Sequence, residues 1–63
     1  MLKQQDMNET AKTVFNELSD QPATVGEIAQ NTHLTDARCQ LILTQLVMAG
    51  LSDCKSGCYT RLQ

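Results

Sequence analysis

The chain has 63 residues, a net charge of −2 and 41% hydrophobic residues, and its pI is about 5.0. This length predicts one domain spanning residues 1–63 with a small core, because a chain so short buries only about 60% of its unfolded surface. The composition excludes disorder, and the longest apolar run is far below the roughly 18 residues that cross a bilayer. We expect a cytoplasmic protein, since the first ten residues lack a signal-peptide core and three cysteines do not make a complete disulfide framework.

The first predicted element is a helix from about residue 3 to residue 20. Its apolar stripe at helical spacing consists of Met7, Ala11, Val14, Phe15 and Leu18. Pro22 disfavours helical backbone at Gln21 and so ends the helix. For the segment around residues 22–24, a short strand that pairs with the C-terminal hairpin remains an open alternative.

Residues 24–51 predict two more helices joined by a tight turn. Thr24 and Glu27 have the spacing of a capping box, which starts the first of them. Thr35 caps the second, and Gly50 is typical of a helix end. Two short helices with a turn of three to four residues form a helix-turn-helix, whose second helix enters the DNA major groove in many regulators.

The last predicted element is a hairpin that directly follows this motif. Residues 52–54 and 58–62 are two short extended segments, and the loop Lys55-Ser56-Gly57 between them suits a hairpin with a left-handed residue. We expect Leu62 to face the core. The predicted core comprises Val14, Phe15, Leu18, Ile28, Ala29, Leu34, Cys39, Leu43, Leu46 and Leu51. The predicted fold is therefore mainly α, a three-helix winged helix-turn-helix with a C-terminal two-stranded β-hairpin wing.

Over residues 7–62 the chain resembles the winged helix-turn-helix regulators of bacteria. The likeness is carried by Gly26-Glu27-Ile28-Ala29, Leu34-Thr35, Ala49-Gly50-Leu51 and Tyr59-Thr60-Arg61-Leu62. Its size and short wing make it most similar to the FaeA/PapI-type regulators of fimbrial operons, which carry more basic residues in the recognition helix and wing. The resemblance implies regulation of transcription, alongside a larger DNA-binding regulator such as a leucine-responsive one.

The candidate DNA contacts lie on the exposed face of the second motif helix and on the wing. They are Thr35, Ala37, Arg38, Gln40, Leu41 and Thr44 on the helix, and Lys55 and Arg61 on the wing. Arg pairs with guanine, Gln pairs with adenine, and Ala or Leu contacts a thymine methyl group, while the wing cations suit phosphates. The alternative is an ordinary solvated surface.

The acidic balance argues against strong binding to DNA. Lys and Arg supply most non-specific affinity through phosphate contacts. The cations of this chain are Lys3, Lys12, Arg38, Lys55 and Arg61. We therefore expect a weak binder of double-stranded DNA, or one that needs a partner.

Leu41 and Met48 lie seven residues apart on the same predicted helix face. If they are exposed, they form an apolar stripe for a protein partner, either a second copy in a homodimer or another regulator. If the first helix or the wing covers them, they belong to the core. The stripe motivates a second hypothesis, a winged-helix interaction module that modulates another regulator without binding DNA directly.

Cys54 and Cys58 bracket the predicted hairpin loop. Unpaired thiols are the favoured interpretation, and a cross-strand redox pair or a shared metal or iron–sulfur site remain open. A zinc site needs two further ligands, and neither Cys39 in the core nor His33 in the turn is placed to supply them. FeoC-type regulators of iron transport also carry cysteines near a wing, but their Cys-rich loop is longer. With neither an acid–base pair nor a phosphate-binding loop, we expect no enzyme, cofactor or metal.

Overall fold

The computed structural model describes residues 9–62, which form three helices and three strands. In chain order they are α1 (Glu9–Glu17), β1 (Ala23–Thr24), α2 (Val25–Thr32), α3 (Asp36–Met48), β2 (Ser52–Lys55) and β3 (Cys58–Arg61). Lys3 and Met7, placed by the sequence on the first helix, lie outside the described residues. Within residues 9–62, the helices are too short or too polar to cross a membrane.

Helix α1 ends at Glu17, so the prediction that it continues to residue 20 was wrong. The backbone N–H of Arg61 in β3 donates to the carbonyl oxygen of Ser19 at 2.8 Å. The hydroxyl oxygen of Ser19 also accepts from the backbone N–H of Gln21 at 3.1 Å. These two hydrogen bonds engage Ser19 outside the helix, so α1 ends before the position at which Pro22 would stop it.

Helix α2 begins with the predicted capping box. The backbone N–H of Glu27 donates to Thr24 Oγ1 at 3.2 Å, and the backbone N–H of Thr24 donates to Glu27 Oε1 at 3.0 Å. At the other end, His33 has a left-handed backbone with φ of 60°. The next N–H, of Leu34, donates back to the carbonyl of Ala29 at 2.9 Å. The turn between the motif helices is thus three residues long, as expected.

Helix α3 has the predicted cap and the predicted end. Thr35 Oγ1 accepts from the backbone N–H of Arg38 at 3.2 Å. Gly50 takes φ of 77°, and the N–H of Leu51 donates to the carbonyl of Leu46 at 2.9 Å. Glycine suits this position because a left-handed backbone strains other residues.

The sheet has three antiparallel strands in the order β1-β3-β2, so the two-stranded wing was wrong in its strand count. The additional strand is the open alternative near residues 22–24. Ala23 lies opposite Tyr59, and Thr24 lies opposite Cys58. Pro22 favours extended backbone just before this strand, and β3 offers it a free edge. Three helices with this sheet are consistent with a small winged-helix-like fold.

The wing turn contains two residues, not the predicted three. Lys55 belongs to β2 and pairs with Cys58. Ser56 and Gly57 have φ of 54° and 78°. Two consecutive positive φ values are typical of the turn whose twist matches that of a hairpin. With this turn, Cys54 lies opposite Tyr59 and Lys55 lies opposite Cys58.

The core lies between the three helices and the inner face of the sheet. Its buried hydrophobic members are Val14, Phe15, Leu18, Ile28, Ala29, Cys39, Ile42, Leu43, Leu46 and Tyr59. Leu34 and Leu51, predicted as core, are partly buried and pack against it. Leu62 is 55% exposed, so its predicted inward position was wrong. Because side chains alternate along a strand, inward positions at Tyr59 and Arg61 direct Leu62 outward.

Candidate nucleic-acid interface

One face of α3 is packed into the core and the opposite face is exposed. Cys39, Leu43 and Leu46 have no exposed surface. All the residues that the sequence assigned to DNA on this helix and its cap are exposed, namely Thr35, Ala37, Arg38, Gln40, Leu41 and Thr44. At about 100° per residue, Ala37 and Leu41 lie opposite the buried side. The sequence periodicity therefore oriented α3 correctly.

The centre of this exposed face is apolar. Leu41 is 58% exposed and Met48 is 82% exposed. The alternative in which the first helix or the wing covers them is therefore wrong for the described structure. Within α3, Arg38 is the one basic residue. The face thus combines an apolar centre with a single positive charge near the start of the helix.

Gln40 links α3 to the wing. Its Nε2 donates to the hydroxyl oxygen of Tyr59 at 2.8 Å and to Thr44 Oγ1 at 3.3 Å. The Thr44 hydroxyl in turn donates to the backbone carbonyl of Gln40 at 2.8 Å. These bonds hold the start of β3 beside the first half of α3.

Tyr59 is the residue of this interface that sequence reasoning missed. It is 6% exposed and belongs to the core. Hydrogen bonding from Gln40 lowers the pKa of its phenol, but burial and the nearby Cys54 thiol raise it more, so the net pKa is above its ordinary value. The chemistry of tyrosine could have indicated such a contact, because a tyrosine that buries its ring needs a hydrogen-bond partner for its hydroxyl group.

The two wing cations are not brought together. Lys55 is exposed beside the turn, opposite Cys58. Arg61 lies at the base of the wing on the other sheet face, with its guanidinium 4.3 Å from the centre of the Phe15 ring. Strand alternation separates them, because Arg61 is three residues from Cys58. Lys55 and Arg61 therefore do not form one basic patch on a single sheet face.

Cys54 and Cys58 lie on opposite faces of the hairpin. Cys54 pairs with Tyr59 on the inner face, whereas Cys58 pairs with Lys55 on the outer face. The interpretations of Cys54 and Cys58 as a cross-strand disulfide or as ligands of a shared metal are therefore wrong. Only directly opposite residues bring their side chains together on one face, and these two cysteines are not opposite each other. Cys39, Cys54 and Cys58 are all free thiols.

Two further observations concern the reactivity of the Cys39 thiol and the binding of a metal ion. Burial, and secondarily the charge of Asp36, raises the pKa of the Cys39 thiol. Among residues 9–62, His, Cys, Asp and Glu side chains form no group of three or more that is placed to hold a metal ion. Cys39 is therefore a core residue in a state unsuited to nucleophilic attack, since the thiolate is the reactive form.

An open depression of about 420 Å³ lies on the outer face of the sheet. It is lined by Pro22, Asp53, Lys55, Ser56, Cys58 and Thr60. Tyr59, which contacts α3, points to the opposite face. The depression is therefore separate from the exposed face of α3.

No family model, curated protein or solved structure matches this chain.

Proposed function

We propose that this chain is a small bacterial transcriptional regulator that binds double-stranded DNA. Helix α3 would lie in the major groove, and the hairpin would contact the backbone through Lys55. The observation that carries the proposal is the exposure of Asp36, Ala37, Arg38, Gln40 and Leu41 in the first half of α3, on a capped helix that is hydrogen-bonded to the hairpin. Such a regulator acts in the cytoplasm, where free thiols such as those of this chain stay reduced.

The dimensions and the side chains support this use of α3. Its 13 residues make a rod of about 20 Å, and a helix with its side chains is about as wide as the major groove. Arg38 has the donors for guanine, and Ala37 and Leu41 have the apolar surface for a thymine methyl group. Arg61 contributes only if it leaves the Phe15 ring, so we assign it the smaller part.

Low positive charge implies low affinity for the duplex. Arg38 and Lys55 are exposed cations at the proposed interface, and Arg61, which is exposed as well, lies over the Phe15 ring. Phosphate contacts supply most sequence-independent affinity, so two of them give weak binding. We propose that a second copy of this chain or a larger regulator adds the affinity that the single domain lacks.

The exposed Leu41 and Met48 favour a second candidate, an interaction module that binds another regulator. Exposed apolar patches commonly mark protein–protein contacts. In this alternative α3 acts as an amphipathic helix, and its exposed apolar face lies in a groove of the partner protein. The net charge of −2 then does not weaken binding, because no phosphate is contacted.

Titration of ¹⁵N-labelled protein with a mixed-sequence duplex, at low and then at physiological salt, tests the proposal. We expect amide shifts in residues 35–44 and at Lys55. No shifts at low salt would end the proposal of direct DNA binding and leave the interaction module. Once a preferred site is known, Arg38→Ala should weaken it by about 1–3 kcal/mol if Arg38 reads a base. Equal binding by the variant would remove Arg38 from the interface.

A further inference from the structure

The side-chain amide of Gln40 has both of its hydrogens engaged within the protein. An amide nitrogen carries two hydrogens and its oxygen only accepts. Nε2 donates to Tyr59 at 2.8 Å and to Thr44 at 3.3 Å. What Gln40 retains for another molecule is its carbonyl oxygen, Oε1.

The hydrogen bonds of Thr44 determine which way this amide faces. The Thr44 hydroxyl has one hydrogen, which it donates to the backbone carbonyl of Gln40 at 2.8 Å. Its oxygen is therefore left only to accept from the side chain of Gln40. Because the amide oxygen is not a donor, the atom beside Thr44 must be the nitrogen.

Tyr59 makes this arrangement rigid. It lies in the central strand β3, opposite Ala23 on one side and Cys54 on the other. Its ring is buried in the core, so its hydroxyl group has a fixed position beside α3. A fixed acceptor on the wing thus sets the orientation of a polar side chain on the recognition helix.

We propose that Tyr59 determines base specificity by holding Gln40 as an acceptor-only reader. The inference rests on the proposed DNA binding. In the major groove, adenine and cytosine present an exocyclic amine as donor, whereas guanine and thymine present a carbonyl oxygen there. The held Gln40 therefore selects adenine over guanine, or cytosine over thymine. It does not make the two-bond contact to adenine N6 and N7 that an unrestrained glutamine makes.

Selection from a random duplex library, followed by affinity measurements, tests this inference. Comparison of the wild type with Gln40→Ala identifies the base pair that depends on Gln40. We expect adenine or cytosine there, with the matching carbonyl base weaker by roughly 5- to 150-fold, the usual range for one mismatch. Tyr59→Phe frees one amide hydrogen to donate, so a preference for cytosine should fall below about twofold, whereas a preference for adenine should rise because the freed N–H can reach adenine N7.

The control is Thr60→Val, which removes a neighbouring hydroxyl from the same strand but on the other face. It should retain the wild-type preference. The Gln40 side-chain N–H resonances report the restraint directly, and they should move in Tyr59→Phe and not in Thr60→Val. If Tyr59→Phe does not fold, Thr44→Val serves instead, since it removes the second acceptor of Gln40 Nε2 and should change the preference in the same direction.

The outcomes separate this inference from the proposed function. If the wild type binds no duplex even at low salt, both fail, and if it binds duplexes without selecting a sequence, only the inference is overturned. If it selects a site in which guanine or thymine depends on Gln40, only the inference is overturned. An unchanged preference in Tyr59→Phe, with the fold intact, likewise overturns the inference and leaves DNA binding in place.

Discussion

The salt dependence of DNA binding follows directly from where the cations lie. Of the described residues, Arg38, Lys55 and Arg61 are exposed cations, and the guanidinium of Arg61 lies 4.3 Å from the centre of the Phe15 ring, so we assign the main phosphate contacts to Arg38 and Lys55. Each phosphate contact contributes about −0.9 to the slope of log K against log salt. Two contacts predict a slope of about −1.8, so raising salt fourfold should weaken binding only about 12-fold.

Fluorescence anisotropy with a labelled mixed-sequence duplex, on which Arg38 contacts a phosphate and not its preferred base, measures this slope across a salt series. Arg38→Ala and Lys55→Ala should each reduce its magnitude by about 0.9. Arg61→Ala should reduce the slope by less than either, because we assign Arg61 the smaller part, and Lys3→Ala tests the cation outside the described residues. A slope steeper than about −4, or a reduction in Arg61→Ala as large as that in Lys55→Ala, would refute this assignment of phosphate contacts. A slope near zero would favour the interaction module.

Three further predictions concern stability, each measured by urea unfolding. Leu46→Ala should lower the free energy of unfolding by about 2–5 kcal/mol, which is most of the stability of a domain this small. Met48→Ala on the exposed face should change the free energy of unfolding by less than about 0.5 kcal/mol. A native-like transition for Leu46→Ala would show that the core is misplaced. His33→Gly should stabilise the protein by about 0.5–1 kcal/mol because φ at this position is 60°, and a loss of stability would contradict the left-handed assignment. Burial raises the pKa of the Cys39 thiol above its ordinary value of 9.0. The resulting contribution to stability is fully present below pH 9.0 and should be lost as pH rises through the higher folded-state pKa, because the unfolded chain releases this proton first. The raised pKa of Tyr59 adds a second loss starting above 10.0, and stability that is independent of pH above 9.0 would contradict both.

Local features of the fold could be predicted from the sequence because they depend on residues a few positions apart. The capping box of Thr24 and Glu27, the cap at Thr35 and the end at Gly50 all have the predicted geometry. Helical periodicity also separated the buried from the exposed face of α3. These features follow from hydrogen bonds and packing within one or two helical turns.

The features that position the candidate site depended on tertiary structure. Gln40 contacts Tyr59 across 19 positions of sequence, and the guanidinium of Arg61 lies over the ring of Phe15. The two-residue turn set the register that separates Cys54 from Cys58. Sequence alone specified which face of α3 is exposed, whereas contacts between distant residues decided which polar atoms of that face remain available. The physical reason is that a donor hydrogen already bonded within the protein is not available to another molecule.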